Sequence, residues 1–93
     1  MNETTKERLL SNMAKNLPAL RAKAGLTQAK LSEMIGISRQ TLGAIETKKK
    51  TMAWSTFLSC YLVFHENPET DSMLKLFEVS TEELESYLRS SNE

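Results

Sequence analysis

The sequence predicts an all-α fold, and three observations carry that prediction. Apolar residues recur at three- and four-residue spacing, as in Leu31, Met34 and Ile35 and again in Leu42 and Ile45. No stretch alternates apolar with polar residues as a half-buried strand would, and no hairpin turn signal appears. Gly25, Gly36, Pro18 and Pro68 then punctuate the chain into segments of helical length.

Taken in order, residues 1–4 offer nothing to anchor them and are expected to fray. Thr5 to Lys15 places Leu9, Leu10 and Met13 on one stripe and reads as a short amphipathic helix. Proline breaks a helix interior but suits a first turn, so the next helix is expected to start near Leu17, capped by Asn16. It turns Leu17, Leu20 and Ala24 inward and ends at Gly25 in the left-handed region. Thr27 is the expected N-cap of a helix from Gln28 to Ile35. Gly36 supplies the positive φ that a tight turn between packed helices requires, and Ser38 caps a second short helix from Arg39 to Glu46. Ala53 to His65 follows as a longer helix with two apolar stripes, Trp54/Phe57/Tyr61/Phe64 and Leu58/Leu62, so it must be covered on more than one side. Asn67 and Pro68 interrupt. Glu69 to Phe77 reads as a short helix, and Ser80 to Leu88 opens on the capping box Ser80/Glu83 and buries Leu84, Tyr87 and Leu88.

At 93 residues the chain fits one small globular domain. The longest apolar run, Met52 to Phe64, is too short and too interrupted by serine and threonine to cross a bilayer, and the N-terminus does not read as a signal peptide. The cytoplasm is the expected compartment, with no membrane partner. Cys60, the only cysteine, lies in an apolar pattern and reads as a packing residue. His65 has no cysteine or histidine at ligand spacing, so neither a metal site nor any cofactor is expected. No nucleophile with a base, no carboxylate pair and no Gly-rich phosphate loop emerges, and no enzyme is expected.

The net charge of zero conceals a polarised molecule. Residues 6–50 carry ten Lys/Arg against three acids, a charge of +7, whereas residues 51–93 carry two bases against eight acids, a charge of −6. That distribution gives one half a face suited to a polyanion. The polar side chains of Arg39, Gln40 and Thr41 fall in the first turn of the second short helix, where a groove-entering helix would meet bases. Lys48, Lys49 and Lys50 follow directly, a run whose ordinary reading is a solvated face and whose place after the helix-turn-helix favours phosphate contact. Gln28 projects from the N-terminus of the first short helix, a natural phosphate site.

From Leu17 to about Phe64 the chain resembles the phage-repressor-like (XRE) helix-turn-helix family. The resemblance is carried by Leu17, Pro18, Leu20 and Arg21, by Gly25-Leu26-Thr27-Gln28 and Leu31, by Gly36-Ile37-Ser38-Arg39-Gln40-Thr41-Leu42, and by Ile45-Glu46. It implies a lambda-repressor-like DNA-binding domain of about five helices, here with extra C-terminal helices, acting as a homodimer in transcriptional control. The expected organisation is an arm or short helix over 1–15, the helix-turn-helix domain over 16–66, and an extension over 67–93 that packs on the same core and offers a dimerisation element.

The resemblance also implies roles residue by residue. Arg39, Gln40 and Ala44 match positions that look into the major groove, and Gln28 matches one that grips phosphate. Arg21 and Glu46 match a partly buried ion pair. The chemistry agrees, since arginine donates bidentately to guanine and glutamine pairs with adenine, each discrimination worth about 1–3 kcal/mol. The alternative for either residue is a solvated position touching only phosphate. Ala44 could meet a thymine methyl or stay neutral. Thr27, Ser38, Thr41, Thr47 and Lys48 to Lys50 are the expected backbone contacts, which position the protein without specifying sequence. Two departures stand out: the family usually has glycine at Lys48 and proline near Met52, so the loop there is expected to take a different path. Ser32 replaces the usual alanine. The reading that follows is a sequence-specific repressor that binds double-stranded DNA. Its rival is an antitoxin-type interaction module whose acidic residues 67–93 cover a toxin, with DNA binding secondary.

Overall fold

The computed structural model describes residues 1–90, and six helices account for most of them. Residues 91–93 of the expected C-terminal extension lie outside that range. Helix α1 runs unbroken from Glu3 to Ala24, with Asn2 as its cap accepting from the Thr5 amide at 2.8 Å. The expected fraying of the first residues and the break at Pro18 are therefore both corrected. Leu9, Met13, Leu17 and Leu20 continue one buried stripe straight past the proline, which is itself exposed. Removing those side chains from water at about 1.5–3 kcal/mol each outweighs the roughly 3 kcal/mol that an interior proline costs. Asn16, expected as a cap, instead donates from Nδ2 to the Asn12 carbonyl inside the helix at 2.8 Å.

Gly25, at φ 71°, closes α1 by giving its amide to the Ala22 carbonyl, while Leu26 donates to Arg21. Helices α2 (Gln28–Ile35) and α3 (Arg39–Glu46) follow with the boundaries the sequence predicts. The cap hydroxyls of Thr27 and Ser38 accept from the amides of Lys30 and Thr41, each at 3.0 Å. Between them Gly36 stands at φ 76°, where any side chain would be strained. Ser32 is buried and turns its hydroxyl to the Ala29 carbonyl at 2.8 Å, so the polar replacement is satisfied within its own helix.

Helix α4 (Trp54–His65) crosses the middle of the molecule, with Phe57, Cys60 and Phe64 fully buried among α1, α2 and α5. Three helices precede it rather than the four expected, because α1 is single. Helix α5 (Pro68–Leu76) starts on Asn67, whose side chain accepts from the Glu69 amide, and buried Thr70 donates to the Phe64 carbonyl at 2.7 Å. Helix α6 (Glu82–Ser90) buries Leu84. Its expected capping box is corrected: Thr81 accepts from the Leu84 amide at 3.1 Å, while Ser80 turns inward to the Tyr61 hydroxyl at 3.4 Å. Glu83 is exposed. Among the described residues no helix is long and apolar enough to cross a membrane.

Candidate nucleic-acid interface

The two short helices are held by a polar network at the point where α1, α2 and α3 meet. Arg21 of α1 donates from Nε and Nη2 to the two carboxylate oxygens of Glu46, at 2.7 and 3.0 Å, and from Nη1 to the Leu26 carbonyl at 3.2 Å. Gln28, first residue of α2, adds a third donor to Glu46 at 2.9 Å. The Glu46 side chain is 5% exposed and that of Arg21 17%. A carboxylate this covered is costly unless its lone pairs are filled, and three donors fill them. The fork geometry of the guanidinium fixes the angle between α1 and the end of α3. Arg21 and Glu46 thus meet as the resemblance implies, and Gln28 joins them, turning its amide nitrogen to Glu46.

That network sets the presentation of α3. Arg39 and Gln40 stand exposed in its first turn, and Ala44 is half-buried one turn further on. Gly43 faces Gln28, whose Oε1 lies 4.0 Å from where a β-carbon at that position would be, so α2 and α3 approach closely. The hydroxyls of Ser38 and Thr41 contact each other at 2.9 Å, and Thr47 donates back to the Gly43 carbonyl at 2.9 Å. Thr27 is exposed at the start of α2. The residues expected to meet bases and those expected to meet the backbone therefore lie together along the α2 and α3 N-termini and the loop after α3.

In that loop Lys49 and Lys50 both donate their amides to the Ala44 carbonyl, at 2.8 and 3.2 Å. Lys48 adopts φ 62°, the left-handed conformation that glycine takes without cost. At the missing glycine the lysine occupies the glycine-favoured conformation and carries the strain, while Met52, where the family has proline nearby, is buried. Arg39, Lys48, Lys49 and Lys50 form no ion pair among the described residues, although the chain holds as many acids as bases. The contacts that the sequence did not reveal are Gln28 to Glu46 and Lys48 Nζ to the Ser11 hydroxyl, at 3.2 Å.

Directly beneath the network, burial foremost and the charge of Glu46 second push the Cys60 thiol up to about 12. It is an inert packing group at neutral pH. His65 lies far along α4, its Nδ1 2.7 Å from a carboxylate oxygen of Asp71 and its ring stacked on Tyr61.

A helix-turn-helix family model matches residues 19–52. Neither the curated proteins nor the solved structures contain a match. The matched segment runs from inside α1 through the loop that follows α3, and so contains the whole polar network and the helix pair it braces. Residues 19–52, just over a third of the chain, are accordingly similar to the helix-turn-helix family, in line with the resemblance to phage-repressor-like (XRE) DNA-binding regulators.

Proposed function

We propose that the protein is a sequence-specific repressor that binds double-stranded DNA as a homodimer, with α3 in the major groove. The observation that carries this reading is the first turn of α3: Arg39 and Gln40 are exposed and uncommitted to any ion pair, while the rest of the helix is fixed by the Arg21–Glu46–Gln28 network. Arg39 and Gln40 are the base readers, with Ala44 against a thymine methyl. Thr27, Ser38, Thr41, Thr47 and Lys48 to Lys50 hold the phosphates, and Gln28, whose side-chain nitrogen is given to Glu46, does so through its backbone amide at the start of α2. A homodimer is supported by the leucines that the single chain leaves uncovered, Leu62 at 58% and Leu76 at 76% exposure.

Selection of bound duplexes from a random pool tests the reading. A two-fold symmetric consensus with half-sites about one helical turn apart is expected. Recovery of sequences with no consensus at moderate salt would overturn sequence-specific binding, and an asymmetric consensus would overturn the dimer.

A further inference from the structure

The helix-turn-helix accounts for residues 19–52, yet α1 runs for about six turns ahead of α2 and its first half lies outside that segment. This half carries its own basic row. Arg8, Ser11 and Lys15 are all exposed, and their spacing of three and then four residues sets them on one face of α1. Ser11 is the reference point: its hydroxyl accepts from Lys48 Nζ at 3.2 Å, which brings the loop after α3 onto that face between Arg8 and Lys15. Arg8 and Lys15, like the three loop lysines, form no ion pair among the described residues. The nearest acid in sequence, Glu7, lies in the groove between α1 and the loop, where Lys48 and Lys50 also sit. The same groove is floored by Leu10, Ala14, Ile45 and Met52, so α1 and the loop are joined by apolar packing as well as by the hydrogen bond.

We infer that the N-terminal half of α1 is a second phosphate-binding element, in which Arg8 and Lys15 flank Lys48 and hold the DNA backbone beyond the reach of the helix-turn-helix. The inference rests on the DNA-binding reading above and extends its footprint. Two helical turns separate Arg8 from Lys15, about 10 Å along the axis. One DNA strand rises about 3.4 Å per nucleotide, so the row spans about three nucleotides of one strand. Long cationic side chains tethered to a rigid helix need little rearrangement to follow such a run. A net-neutral protein keeps these cations free of its own carboxylates because its acids are concentrated after residue 51.

The test is the salt dependence of binding to a fluorescein-labelled, mixed-sequence DNA duplex, followed by anisotropy. Each phosphate contact contributes about 0.9 to the slope of log K against log salt. The double variant Arg8→Gln/Lys15→Gln is expected to lower the slope by about 2 while its thermal melt matches the wild type, both residues being exposed. Arg8→Lys/Lys15→Arg should restore it, and Lys75→Gln, an exposed cation in the acidic half, should leave it unchanged. A slope unaltered in the double variant but reduced in Lys49→Gln/Lys50→Gln would overturn the α1 element and leave the helix-turn-helix reading standing. Failure of the wild type to bind duplex at low salt would overturn both.

Discussion

Among the described residues two side-chain contacts join a nitrogen of one helix to a carboxylate of another at the same distance, 2.7 Å, and they are physically unlike. Arg21–Glu46 ties α1 to the end of α3 with side chains 17% and 5% exposed, and every nitrogen of the arginine head and both oxygens of the carboxylate are engaged. His65–Asp71 ties the end of α4 to α5 with side chains 48% and 38% exposed, in reach of water throughout. Distance alone ranks them equal. Solvent does not: the first pair has given up its hydration and depends on its protein partners, whereas the second exchanges one solvated state for another. The covered pair stands beneath α3, the helix proposed to enter the groove, and the open one at the far end of α4.

The sharpest way to break this contrast is to remove one partner of the covered pair. Arg21→Ala leaves Glu46 buried with only Gln28 as a side-chain donor, and about 3–5 kcal/mol of unfolding free energy should be lost in a denaturant titration. Replacing both members by apolar residues, as in Arg21→Met/Glu46→Leu, should cost much less, because no charge is then stranded. A single variant no worse than the double would show that the pair is solvated after all.

Next in size is an effect on function without one on folding. Arg39→Ala, on the exposed face that the network presents, should weaken binding to the selected site roughly tenfold to a hundredfold, with the melting temperature unchanged. Arg21→Ala, assayed where it is still folded, should weaken binding to every sequence alike, since it moves α3 as a whole. A base-specific loss in the Arg21 variant would contradict the division between brace and reader.

Cys60 reports how dry the covered region is. Its thiol ionises near 9 when exposed and is pushed up to about 12 in the fold, so the folded state holds a proton that the unfolded chain releases between those values. Unfolding then releases a proton, and stability falls as pH rises, by about 1.4 kcal/mol per unit at most. Compared with Cys60→Ala, the wild type should lose stability faster above pH 9, and below pH 9 the difference between the two should be constant. At neutral pH the thiol should react with a disulfide reagent only as fast as the chain unfolds.

Smaller still is the strain at helix exits. Four of the described residues take positive φ; Gly25 and Gly36 do so freely, while Lys48 and Glu78 carry side chains into that region. Exchanging either for glycine should stabilise by about 0.5–1 kcal/mol, the relieved strain less the added chain entropy. Lys48→Gly should also weaken DNA binding and flatten its salt dependence, whereas Glu78→Gly, in the other half, should change stability alone.

How much of this the sequence revealed depends on how local the cause was. The caps Thr27 and Ser38, the two glycine turns and the bounds of α2 and α3 were all legible, because each is decided within one turn of chain. Pro18 misled because a local rule was set against a global one: the stripe Leu9, Met13, Leu17, Leu20 keeps helical spacing across the proline, and its burial prevails. Ser80 and Thr81 are both competent caps, and a hydroxyl far away in sequence, on Tyr61, decides between them. The Arg21–Glu46 pair joins residues 25 apart and was legible only through the resemblance. Its third member, Gln28, reads in the sequence only as a phosphate contact projecting from the start of α2, because nothing local places Glu46 beside it.

The smallest expected effect belongs to the open pair. His65→Ala and Asp71→Ala should each change stability by less than about 1 kcal/mol, since water already reaches both side chains. The helix junction itself should survive, because buried Thr70 holds the Phe64 carbonyl at 2.7 Å and the Asn67 side chain still caps α5. Thr70→Val, which removes that hydroxyl and strands a buried carbonyl, should therefore cost more than either ionic substitution, by about 1–3 kcal/mol. If His65→Ala proved the more damaging, the stacking of its ring on Tyr61 one turn earlier in α4, at 5.4 Å between centroids, rather than its contact with Asp71, would be the stabilising contribution. His65→Phe would then restore what His65→Ala lost.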